Sequence, residues 1–131
     1  MPRTAEDVEN YLLQLDRQFE NDGGTFLVGG PTKTPIAIRV APPIVAIRVS
    51  IGEIPAAPAD QLKVFRRMLE YNATDLMHIS YGVDRDGIVL TAALELENLD
   101  LNELEAALSD VDLALARHMP ELIAAAAFEK R

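Results

Sequence analysis

The sequence predicts a single α+β domain over residues 1–131, with elements in the order α-β-β-β-α-β-β-α. Three observations predict it. Apolar residues recur at helical spacing near both ends and once in the middle. Between those stretches they alternate with period two. Glycine, proline and asparagine sit where one period gives way to the other. The expected arrangement is a five-stranded antiparallel sheet with the helices packed on it.

The first helix opens at Thr4, with Asp7 three residues on as a capping box. Val8, Tyr11, Leu12, Leu15 and Phe19 form one apolar stripe, and Asn21-Asp22-Gly23-Gly24 is read as its stop. Three strands follow: "TFLVGG", "PIAIRVA" and "IVAIRVSIG". Ile36, Ile38 and Val40 alternate with Ala37 and Arg39, and Val45, Ile47, Val49 and Ile51 with Ala46, Arg48 and Ser50. Pro42-Pro43 lacks ladder N–H groups and marks the turn between two of these strands. The repeated "AIRV" is two strands of one sheet with the same inward pattern; four residues copied once are too few for a repeat unit.

The second helix starts near Pro58, a first-turn proline, and Asn72 is a plausible stop. Leu62, Phe65 and Leu69 make one apolar row; Val64, Met68 and Tyr71 make another. At about 100° per residue the two rows cover roughly half the circumference, more than one sheet requires. The excess is covered either by a partner subunit or by another part of the chain. The interface pool is Val64, Phe65, Met68, Leu69 and Tyr71.

Next comes a hairpin. Met77, Ile79, Tyr81 and Val83 alternate on the way in, and Ile88, Leu90, Ala92, Leu94 and Leu96 on the way out. The final helix has Asp100 and Glu103 as a capping box and Leu99 with Leu104 as a hydrophobic staple. Its stripe of Leu101, Leu104, Leu108, Val111, Leu115, Met119 and Leu122 keeps phase across Pro120, which either kinks the helix or begins a fresh one. Lys130 and Arg131 complement its C-terminus.

Composition removes several function classes. Apolar residues make up 49% of the chain and aromatics 5%, so the core is aliphatic. The net charge of -9 argues against direct nucleic-acid binding, which needs a basic face, and against an anionic membrane surface. There is no cysteine, so disulfides and thiol catalysis are excluded. The acidic start lacks a signal-peptide core, and no apolar run approaches the roughly 18–20 residues that span a bilayer, so a cytoplasmic protein is expected.

The tests for chemistry give no cofactor, no metal and no catalytic residue. Aligned to a calcium loop, Asp84-Arg85-Asp86-Gly87 puts Gly82 and Ala93 where oxygen ligands are needed, so it reads as a hairpin turn in which Gly87 supplies φ > 0. His78, on the polar face of a strand, and His118, near a helix end, are too few for zinc. Gly29 to Thr34 lacks the second glycine of a phosphate loop and reads as a turn. From Asp84 to Asp112 there are nine carboxylates and one basic residue. This is a solvated face, or a docking surface for a basic segment in which Asp84, Asp86, Glu95 and Glu97 are candidates.

The second half resembles a known family. A helix ending Leu69-Glu70-Tyr71-Asn72, the strand and turn with Gly82, Asp84 and Gly87, and a last helix carrying Leu99, Leu101, Leu104 and Leu108 look like the YbjN family. That domain is similar to the class I type III secretion chaperones. The resemblance implies a small acidic α+β protein, a homodimer through its second helix, with no catalytic centre, that binds an unidentified protein client or serves in regulation. A secretion chaperone proper, or a small-molecule sensor with polar groups such as Arg39, Arg48 or His78 around a pocket, are the alternatives.

Overall fold

A computed structural model of the chain describes residues 3–30 and 34–125. The elements are α1 (Ala5–Gln14), β1 (Phe19–Asp22), β2 (Thr25–Val28), β3 (Ile36–Ala41), β4 (Ile44–Glu53), α2 (Pro58–Thr74), β5 (Ser80–Asp84), β6 (Gly87–Glu95) and α3 (Leu101–Ala125). All neighbouring strands are antiparallel, in the order β1-β2-β3-β4-β6-β5.

The sheet therefore has six strands rather than five. The extra strand comes from the segment read as the end of the first helix. Capped by Thr4 and Asp7 in the expected reciprocal arrangement, α1 ends at Gln14, and Asp16 turns the chain with φ 59°. Phe19 sits four residues after Leu15 and so fits a helical stripe, but it lies on β1 and meets Phe26 edge to face at 5.7 Å. Gly23 and Gly24 are not a helix stop. With φ of 61° and 93° they form the two-residue turn between Asp22 and Thr25, the primed geometry that matches strand twist.

The central strands follow their alternation. Ile38 faces Ile47 and Arg39 faces Ala46, so the two "AIRV" segments are adjacent antiparallel strands joined at Pro42-Pro43, a cis peptide. Ile36, Ile38, Val45, Ile47, Val49, Ile88 and Leu90 point to one face, where they form a single core with Val8 and Leu12 of α1, Val64 and Met68 of α2, and Leu104, Leu108, Val111 and Leu115 of α3. The other face carries exposed Arg39, Arg48, Ser50 and Ala93. On it Arg48 of β4 pairs with Asp84 of β5 across β6. Register places Arg48 beside Thr91 and Asp84 beside Gly87, so the pair passes over Val89 between them. Val89 is accordingly buried although its side chain points away from the core.

Pro120 does not interrupt α3, which runs as one helix. The carbonyl of Ala116, left without its helical donor, is on an exposed residue where water can reach it. The cap and staple at its start are as expected: Glu103 N–H donates to Asp100 at 2.8 Å, Asp100 N–H donates to Glu103 at 3.2 Å, and Leu99 and Leu104 are both buried. Residues 31–33 of the turn expected over Gly29 to Thr34, and Lys130 and Arg131 of the expected C-terminal cap, lie outside the described residues.

Candidate protein-binding surface

The two apolar rows of α2 lie roughly a third of a turn apart, and burial separates them. Val64, Met68 and Tyr71 are 1%, 4% and 6% exposed and belong to the core. They are thus not on the surface that a partner would meet. Leu69, 67% exposed, and half-buried Phe65 remain outside, together with Leu62 at 71%, which the interface pool omitted. Spacing alone does not say which row the sheet takes.

The outer row is bordered differently on its two sides. Towards α3, Lys63, Arg66, Arg67 and Glu70 surround an open hollow of about 520 Å³ that reaches Ala125. Arg66 and Glu70 pair at 3.6 Å, one turn apart and both well exposed. Towards β5, Asn72 ties the helix to the sheet edge. Its Nδ2 donates to the Tyr81 carbonyl at 3.2 Å and its Oδ1 accepts the Tyr81 N–H at 2.8 Å. Asn72 therefore does not stop α2, which continues to Thr74. Val83 and Met77 are also exposed.

The acidic candidates do not form one patch. Asp84 is paired with Arg48, and Asp86 sits at the turn, where its carbonyl accepts the N–H of Ile54 at 2.8 Å. Glu95 ends β6, eight residues from Gly87 or about 27 Å at the usual strand rise, and Glu97 lies just beyond it. There they flank an apolar hollow of about 540 Å³ lined by Val40, Pro42, Pro43 and Leu96. The turn itself departs from expectation in one respect. Arg85, not Gly87, takes the left-handed conformation, with φ 60°, and Gly87 is the first residue of β6.

Sequence reasoning also misplaced the histidines. His78 is exposed in the connection before β5 rather than on the strand. His118 is not at a helix end but buried within α3, between Tyr71, Tyr81 and Asp75. Asp75 is held below the usual carboxylate range, first by the hydrogen bond from His118 and then by that from Thr74. Burial, with Glu121 adding to it, pushes Tyr71 up to about 12, and burial raises Tyr81 as well. Asp75, His118 and Tyr81 share the connectivity of a hydrolytic triad. Burial suppresses ionisation of the phenol, which makes it a poor nucleophile. Arg39, Arg48 and His78 do not converge on a hollow: the two arginines lie on the open sheet face, one of them tied to Asp84.

The family model CesT_Tir_1, of type III secretion chaperones, matches residues 1–128. The chain belongs to that family. The fold agrees with solved structures at low identity. A chain of the heterodimeric ExoU–SpcU complex from the type III secretion system of Pseudomonas aeruginosa is 16% identical, with TM-score 0.69 over 86% of this chain and 95% of that one. The Yersinia pestis secretion chaperone SycH, in complex with a YscM2 fragment, is 15% identical, with TM-score 0.60 over 90% and 98%. YbjN from E. coli, described as a putative transcription regulator, is 11% identical, with TM-score 0.61 over 94% and 87%. Among curated proteins none matches by sequence. No helix among the described residues is long and apolar enough to cross a membrane.

Proposed function

We propose that this member of the family is a non-catalytic, cytoplasmic homodimer that holds a segment of another protein. The observation that carries the dimer is the exposed row on α2. Ala59, Leu62, Arg66, Leu69 and Ala73 are all exposed, at spacings of three, four, three and four residues. Such a row is self-complementary when a second copy runs antiparallel. Leu62 then meets the partner's Leu69, Leu69 meets the partner's Leu62, and the alanines at each end let the backbones approach, as a two-fold interface requires. Phe65 lies beside the centre of the row, where Arg66 of the partner subunit offers a guanidinium to its ring.

Client binding is supported by the family and by the neighbours, of which SycH was solved with a bound protein fragment. A protein client also suits a surface that exposes several large aliphatic side chains, Leu62, Leu69, Met77 and Val83 among them.

Light scattering after size exclusion at micromolar concentration tests the dimer. The expected mass is twice 14.4 kDa. A clean monomer defeats the dimer, whereas failure to recover a client by pull-down from the native cell would defeat only the chaperone-like role.

A further inference from the structure

A second feature of α2 lies on its buried side, away from the proposed interface. His118 of α3 is 3% exposed. Its ring lies flat on Tyr71, with centroids 3.6 Å apart and planes 4° from parallel. Nε2 is 3.0 Å from Oδ2 of Asp75, the residue that caps α2, and Nδ1 is 2.8 Å from the hydroxyl of Tyr81 on β5. Tyr71 donates its own hydroxyl hydrogen to Glu121, one turn further along α3. A knot of five side chains thus joins the last turn of α2 to α3 and β5.

The partners determine which nitrogen carries the hydrogen. A carboxylate only accepts, so Nε2 is the donor to Asp75. Nδ1 is then a lone pair, and the Tyr81 hydroxyl points its hydrogen at it. The charged and titratable groups around the ring are Asp75, Tyr71 and Arg67 from α2, Tyr81 from β5, and Arg117 and Glu121 from α3 itself. Every polar contact of the ring is used in this neutral state.

We propose that this relay is a proton-operated latch that holds the C-terminal turn of α2 against α3 and β5. A second proton on His118 turns Nδ1 into a donor. The Tyr81 oxygen must then accept, and its hydrogen loses the acceptor that the fold supplies, in a place where its ring is 6% exposed. Leaving a buried donor without a partner carries the full cost of its desolvation. Asp75 offsets the new charge only in part, because its side chain is 47% exposed and water screens the pair. Relief comes from withdrawing the charged ring from Tyr81 towards solvent together with Asp75, whose bond to it is now charge-assisted, and that movement frees the last turn of α2. Asp75 stays ionised over the range where histidine changes charge, since its carboxyl is held below the usual value.

The test uses the full chain and nuclear magnetic resonance, between about pH 8 and about pH 5, the span in which histidine titrates. At the upper end His118 is expected as the Nε2–H tautomer. Down the series, protection against amide exchange in residues 70–76 is expected to fall about tenfold while that of residues 104–115 holds, a local opening rather than a global one. His118→Gln keeps a donor and an acceptor without a titrating proton and is expected to abolish the response. A His118 ring doubly protonated at the upper pH, or an unchanged response in His118→Gln, overturns the latch. Should His118→Gln fail to fold, the wild-type midpoints decide. Coincidence of the His118 shift with the loss of protection supports the latch, and separation by more than about one pH unit rejects it.

Discussion

The side-chain amide of Asn72 occupies both backbone polar groups of Tyr81, donating to its carbonyl and accepting its N–H. Those groups point away from β6, at the free edge of the sheet, so the helix supplies there what a seventh strand would have supplied. Unpaired edges invite association with other chains, and this one is closed near its start by one side chain. Asn72→Ala leaves a part-buried donor and acceptor unmet. It is expected to destabilise the fold by about 1–3 kcal/mol in urea titration. Asn72→Asp still accepts from the N–H but faces the carbonyl with an oxygen, and should lose a similar amount. An unchanged midpoint in both variants would show the edge is held by something else.

The two sides of α2 are expected to respond in opposite ways. Met68→Ala removes a side chain buried in the core and is expected to cost about 2–4 kcal/mol. Met68→Arg should unfold the protein rather than split a dimer. The double change Leu62→Asp and Leu69→Asp acts on exposed positions. It is expected to leave the stability of the monomer within about 0.5 kcal/mol and to weaken self-association at least about tenfold, read by sedimentation. A dimer that survives this double change would move the interface off α2.

Arg85 carries the strain of the β5–β6 turn at φ 60°, a region that costs a side chain with a Cβ about 1–2 kcal/mol. Part of the relief is lost to the greater freedom of glycine in the unfolded chain. Arg85→Gly is therefore expected to stabilise the protein by roughly 0.5–1 kcal/mol, measured by thermal or urea unfolding. Gly87→Ala is the control. A Cβ there would meet the Asp84 and Gly52 carbonyls at 3.6 and 3.7 Å, ordinary contact, so little change is expected.

Alkaline pH should unfold the protein through its tyrosines. Tyr71 and Tyr81 are raised in the folded state above the ordinary value of 10.0. The unfolded chain thus releases these protons first. The stability they contribute is fully present below pH 10 and is lost as pH rises towards about 12, where Tyr71 ionises in the fold. In absorbance titration, tyrosinate from these two residues is expected to appear together with loss of helical circular dichroism. Ionisation of either near pH 10 in a protein that stays folded would contradict the burial described here.

Much of the fold was legible because it rests on local periods and local caps. Thr4 with Asp7, Asp100 with Glu103, and Leu99 with Leu104 act within one or two turns, and each is found in place. Alternation over Ile36 to Ile51 placed two strands of one sheet correctly. The errors fall where a residue satisfies two patterns at once. Phe19 is in phase with α1 and equally suits a strand, and a glycine pair ends helices and also turns hairpins. Only the contact with Phe26 chooses between them.

The proposed binding surface was legible as a helix and not as a face. The sequence by itself determined that α2 has more apolar circumference than one contact needs, that the Asp84–Gly87 segment is a turn, and that the chain is acidic with an aliphatic core. The tertiary structure alone decided that Met68 looks inward and Leu69 outward, that the acidic candidates sit at opposite ends of a strand, and that His118 meets Asp75 and Tyr81. The physical reason is range. Caps and periods are set within a few residues, whereas burial depends on which of two apolar rows reaches the sheet first. A contact across 37 or 43 residues leaves no trace in local spacing.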